Sequence, residues 1–144
     1  MKQASTRAVL DTNVLVSALL FEQSWLSWLR LSWQQGLLSP VFAQPTALEL
    51  LRVLSYSKFK LESAQREVLL QEVLPWSESW SAAIHPSSHR VRDPHDQVFL
   101  DLALAAAVPL LVSGDADLLS LRSAVDSLQI LSPAEAREWL NSQP

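Results

Sequence analysis

Cysteine is absent from this 144-residue chain. Its absence removes disulfides, thiolate zinc sites, iron–sulfur ligation and cysteine nucleophiles, so any metal must rely on oxygen ligands or on the three histidines. Oxygen-only sites favour magnesium or manganese. Glycine is nearly missing, at two residues, and there is no internal repeat, low-complexity tract or flexible linker. An excess of positive charge is also lacking. The formal net charge of −4 argues against holding nucleic acid by bulk electrostatics, so such a substrate would depend on metal ions and a local basic patch. No apolar run is long enough to cross a bilayer: the longest, Leu102 to Val112, is interrupted by Pro109. Met1 to Thr6 has no apolar core like that of a signal peptide, so the expectation is a soluble cytoplasmic protein with no membrane partner.

What is present suits a compact globule, with 49% hydrophobic and 18% charged residues. A chain of this length buries about two-thirds of its unfolded surface in one core, and a single domain over 1–144 is expected. Ala8 to Leu10 reads as a strand, followed at Asp11-Thr12-Asn13 by a turn into a helix over Val14 to Leu20. Trp25, Leu26, Trp28, Leu29 and Trp33 fit helical spacing up to Gly36 as a C-cap, and Leu38 to Phe42 is a second strand. Pro45 and Thr46 open a third helix, a fourth covers Glu62 to Val73, and Trp76 to Ile84 holds a short strand. Asp93-Pro94-His95-Asp96 introduces a helix over Val98 to Ala107, and Leu110 to Ser113 is a buried strand. Gly114 to Asp117 turns into Leu118 to Leu121, and Leu128 to Leu131 is the last strand. Ser132, Pro133 and Glu135 start a final helix to Leu140 as N-cap, first helical residue and capping-box acid. Uniformly apolar strands alternating with helices indicate a parallel sheet covered on both faces.

Ligands in such sheets bind beyond the carboxyl ends of the strands. Asp11 and Asp115 each follow a strand, which places both at one rim. Asp96, at a helix start one helix before the strand ending at Ser113, reaches that rim if this strand neighbours the first. Glu49 lies among apolar residues of its own helix and needs a partner, either Arg52 or a metal. Each acid has a plain structural reading: Asp11 or Asp96 as an N-cap, Asp115 with Asp117 as a turn pair, Glu49 in an ion pair. Four carboxylates at the four places one metal site requires favour a shared cation, since ionised neighbours repel. Arg90 and Arg92 are the candidate substrate-binding cations. Lys58 and Lys60 read as solvent-facing, His85, His89 and His95 as loop residues, and Trp25, Trp28 and Trp33 as core or dimer-face packing.

Four segments in series resemble a PIN domain: Val9-Leu10-Asp11-Thr12-Asn13-Val14-Leu15-Val16-Ser17-Ala18, Ala47-Leu48-Glu49-Leu50-Leu51-Arg52-Val53-Leu54, Arg92-Asp93-Pro94-His95-Asp96-Gln97-Val98-Phe99-Leu100, and Leu111-Val112-Ser113-Gly114-Asp115-Ala116-Asp117-Leu118-Leu119. The similarity spans roughly residues 7–132 and is narrower still to the PIN-family toxins of bacterial toxin–antitoxin pairs. It implies a three-layer α/β/α sandwich with a central, mainly parallel sheet, and a Mg2+- or Mn2+-dependent endoribonuclease. The family's four acids fall on Asp11, Glu49, Asp96 and Asp115, the metal-binding and catalytic set. Asp117 matches a further acidic position, Thr12 and Asn13 the small polar pair after the first acid, and Ser113 a hydroxyl at a strand end, all in supporting roles. A cognate antitoxin and a homodimer are implied as well. Gln97 departs from the pattern, where many relatives have an acid or asparagine. Asp93 competes with Asp96 for the third position, but Pro94 holds Asp93 extended ahead of the helix, which favours Asp96.

Two other functions fit the residues less well. A phosphatase using Asp11 as nucleophile needs an acid two residues on, where Asn13 stands. A catalytically inactive PIN-like module binding RNA or protein would keep the same acids.

Overall fold

The computed structural model describes residues 5–21 and 26–143. In chain order the elements are β1 (Thr6–Leu10), α1 (Thr12–Leu20), α2 (Ser27–Gln34), β2 (Leu38–Phe42), α3 (Gln44–Leu54), α4 (Ser63–Gln71), β3 (Glu78–Ser79), α5 (Pro94–Ala105), β4 (Leu110–Val112), α6 (Ala116–Leu119), β5 (Gln129–Leu131) and α7 (Pro133–Asn141). Two 3-10 turns, Ser57–Phe59 and Leu74–Trp76, flank α4. The five strands form one all-parallel sheet in the order β3-β2-β1-β4-β5. Helices on both of its faces make a three-layer α/β/α sandwich.

Strand alternation divides the core. In β1, Ala8 and Leu10 point into one layer with Leu110 and Val112 of β4, while Val9 and Leu111 point into the other. The first layer takes α1, α2, α3 and Ala136 of α7; the second takes α5 and Leu118 of α6. The order explains this. From β1 the chain moves to β2 and β3 on one side, then crosses back to β4 and β5 on the other, and right-handed crossovers in opposite directions put their helices on opposite faces. The direction reverses between β1 and β4. That crevice, at the carboxyl ends of the two strands, is where such sheets bind ligands.

Local signals account for the boundaries. Gly36 adopts φ +75, and the Leu37 and Gly36 N–H groups donate to the carbonyls of Ser32 (2.9 Å) and Trp33 (3.2 Å), a Schellman end to α2. Trp33 is buried and its Nε1 donates to the Glu72 carbonyl at 3.0 Å, so it packs the core. Trp28 is half-buried with Arg137 5.9 Å from its ring, and Trp25 lies outside the described residues. The strand expected within Trp76 to Ile84 is only two residues long. Its pairing with β2 begins at Val41, just past Pro40, which has no N–H to give. The helix expected over Val98 to Ala107 starts earlier, at Pro94, because Asp93 is the N-cap and its side chain accepts from the His95 N–H at 3.0 Å. Asp96 is therefore a first-turn residue, not a cap.

Candidate metal centre

The crevice between β1 and β4 opens as a cleft of about 340 Å3, lined among others by Asp11, Glu49, Asp93, Asp96 and Asp115. Asp11 forms its floor and is 5% exposed. Its backbone N–H continues the sheet to the Val112 carbonyl at 3.1 Å. One carboxylate oxygen accepts from the Val14 N–H at 2.9 Å as the N-cap of α1, and the other accepts from the Ser113 hydroxyl. The capping expected of Asp11 is present, and it fixes the carboxylate at the rim. Ser113 is fully buried, and its oxygen also accepts from the Asp115 N–H at 3.0 Å.

Asp115 is the N-cap of α6, accepting from the Asp117 N–H at 2.8 Å. This short turn presents Asp117 beside it. One oxygen each from Asp96, Asp115 and Asp117 lie within 4.8 Å of one another, close enough to share one cation. Asp117 thus stands in this group, whereas the resemblance implies only a supporting place for it. Asp93 lines the cleft but is occupied with capping α5.

Burial raises the Asp11 carboxyl above its ordinary value against the opposing hydrogen bonds from Ser113 and Val14, and Asp115 adds to the rise. Asp96 is pushed up to about 7, first by burial and then by the adjacent Asp115 carboxyl, with Asp93 and Asp11 further contributors. Its Oδ2 is enclosed without a donor, and so is Oγ1 of the buried Thr12, which also lines the cleft. A deficit of positive charge beside two unpartnered oxygens is what an oxygen-coordinated divalent ion would relieve. The donor set fits Mg2+ or Mn2+.

Glu49 reaches the same cleft from α3, but both its oxygens are engaged. Arg52 forks onto them, with Nε to Oε2 at 3.1 Å and Nη2 to Oε1 at 2.7 Å. Arg52 Nη1 also donates to the Tyr56 hydroxyl at 2.6 Å, and both Arg52 and Tyr56 line the cleft. Asn13 lines it at the surface and His95 beside Asp96. Arg90 and Arg92 are exposed on the segment leading into α5, outside the lining described above.

Gln97 was visible in the sequence only as a departure from the resemblance. It faces away from the acids, accepts from the Val91 N–H at 2.7 Å and donates to the His89 carbonyl and Asp101 Oδ1 at 2.9 Å each. Asp101 Oδ1 in turn accepts from the Ser87 N–H at 2.9 Å, so the pair straps residues 87–91 onto α5.

The fold and cleft define a parallel α/β domain with a carboxylate cluster at its switch point. The chain belongs to the PIN domain family, whose model matches residues 7–117 and so contains Asp11, Glu49, Asp93, Asp96, Asp115 and Asp117. Among solved structures, VapBC2 from Rickettsia felis, bound to a DNA fragment from their promoter, contains a similar chain. The TM-score is 0.61 at 15% identity, over 88% of this chain and 98% of that one, a likeness of fold. No curated protein matches the sequence.

Proposed function

We propose that the protein is a Mg2+- or Mn2+-dependent endoribonuclease. The observation that supports this reading most is the convergence of Asp96, Asp115 and Asp117 above Asp11, with Asp96 Oδ2 and Thr12 Oγ1 unpartnered in the same cleft. Asp96, Asp115 and Asp117 would hold the ion from the β4 side and Asp11 from the floor. A bound divalent ion supplies an activated water and charge stabilisation for phosphodiester hydrolysis. Ser113 keeps the Asp11 carboxylate oriented and Val14 anchors its other oxygen, while Thr12 offers a hydroxyl toward water or ligand. Arg90 and Arg92, exposed on the segment leading into α5, are candidate RNA contacts.

An Asp11 nucleophile is disfavoured by its burial and by the donors on both of its oxygens. The toxin reading is a further step and rests on the resemblance to PIN-family toxins. On it, a cognate antitoxin covers the acidic rim and the domain pairs with a second copy. The exposed Leu48 and Leu51 of α3 are apolar surface available for such contacts.

RNA cleavage assayed with Mn2+, with chelator and with Asp11→Asn tests the enzyme reading. Activity should vanish with either treatment, and cleavage that survives both would sink it. Growth arrest on expression, relieved by Asp11→Asn, tests the toxin reading; equal arrest from both forms would argue against catalytic toxicity.

A further inference from the structure

Among the described residues, five acids line the cleft, and Arg52 is its one Arg or Lys. RNA phosphates entering it must overcome that excess of like charge. Arg52 is held by three hydrogen bonds that it donates, two to Glu49 and one to the Tyr56 hydroxyl, while its side chain stays 53% exposed. A guanidinium has five N–H groups, so two of them have no protein partner among the described residues. An arginine already fixed in this way loses little rotamer freedom on engaging a phosphate. Glu49, for its part, offers both oxygens to Arg52 and lies outside the group of Asp96, Asp115 and Asp117. The i, i+3 spacing puts Glu49 and Arg52 on one edge of α3, and Tyr56, two residues past the end of that helix, lines the same cleft.

We infer that Glu49 acts as the anchor of Arg52 rather than as a metal ligand, and that the anchored Arg52 is the cleft's phosphate-binding residue for RNA. Tyr56 completes the brace. This rests on the ribonuclease reading and sharpens it, since it separates a metal-holding wall on β1, β4, α5 and α6 from a substrate-holding wall on α3.

Two measurements on the folded protein test it: Mn2+ binding by calorimetry, and binding of a labelled mixed-sequence RNA oligonucleotide in Ca2+ across a salt series. Glu49→Gln and Arg52→Gln should leave Mn2+ affinity within about twofold, while Asp96→Asn weakens it about tenfold or more. Both α3 variants should weaken RNA binding about tenfold and lower the salt slope by about 0.7, the share of one single-strand phosphate contact. The double variant should bind RNA no worse than Arg52→Gln, and Arg52→Lys should recover the slope but only part of the affinity. A Glu49→Gln protein that loses Mn2+ as Asp96→Asn does would overturn the inference, as would an Arg52→Gln protein with wild-type RNA affinity and slope. Wild-type protein that binds neither Mn2+ nor RNA would instead bring down the ribonuclease reading, and the inference with it.

Discussion

The Ser113 hydroxyl donates to the buried Asp11 carboxylate across the boundary between β1 and β4, and the same oxygen accepts the Asp115 N–H. One side chain thereby fixes the distance between the two strand-end acids. It also explains how Asp11 tolerates a buried position. A carboxylate removed from water is costly unless donors face it, and Ser113 and Val14 supply two.

Ser113→Ala should therefore act on both stability and binding. It leaves the Asp115 N–H without its acceptor and Asp11 with one donor fewer, a loss of about 1–3 kcal/mol for a group left unpaired inside the protein. Chemical denaturation in chelator measures the first effect, and Mn2+ calorimetry on the folded variant should show weaker binding. An unchanged denaturation midpoint would show that water replaces the hydroxyl without cost.

The raised Asp96 carboxyl, at about 7 against an ordinary 3.8, sets a pH window. In metal-free protein the folded state keeps a proton that the unfolded chain has already lost, so this residue's contribution to stability falls as pH rises from about 4 to about 7 and levels off above. Asp96→Asn removes the titration. The stability difference between variant and wild type should grow in the variant's favour across that window and stay constant beyond it. Mn2+ should erase the difference for the wild type at pH 8, because the ion replaces the lost proton; its apparent affinity should climb with pH up to about 7. Urea midpoints at pH 5 and pH 8, with and without Mn2+, would decide it, and parallel profiles for the two proteins would contradict the assignment.

Much of this centre is legible in the sequence because it depends on period and order. Asp11 and Asp115 follow apolar runs that can only be strands, and a parallel sheet sends both to one rim. Asp96 depends on β4 lying next to β1, which the residue pattern leaves open and the sheet order supplies. Asp117 and Arg52 were harder to place. Asp117 joins the acids because α6 is a single turn capped by Asp115, and a turn that short shows no periodicity to read. Arg52 pairs with Glu49 as its spacing suggests, but nothing local says that their helix edge faces the cleft. β3 is nearly invisible because two residues, Glu78 and Ser79, are too few to show an alternating pattern.

The C-terminal end of α5 offers a test of backbone strain. Ala107 adopts φ 53, and the chain then turns so that the Val108 N–H donates to the Ala103 carbonyl at 3.2 Å. Left-handed backbone costs an L-residue about 1 kcal/mol relative to glycine. Ala107→Gly should raise stability by about 0.5–1 kcal/mol, read as a higher denaturation midpoint with an unchanged slope. A lower midpoint would mean that the methyl group contributes packing that outweighs the strain.

Gln97→Leu separates holding the 87–91 segment from holding metal. The substitution keeps the approximate volume but removes the acceptor for the Val91 N–H and the donor shared by the His89 carbonyl and Asp101. Val91 is buried against the α5 layer, so its N–H cannot turn to water without moving the chain. Each backbone group left unpaired there costs about 1–3 kcal/mol, whereas Asp101 retains the Ser87 N–H. Faster amide hydrogen exchange should appear at residues 87–91 while the sheet stays protected. Mn2+ affinity should hold near the wild-type value, because none of these bonds reaches Asp96, Asp115 or Asp117. RNA affinity should fall if Arg90 and Arg92 take their places from this strap. Unchanged exchange at Ser87 to Val91 would show that packing of Val91 alone holds the segment down.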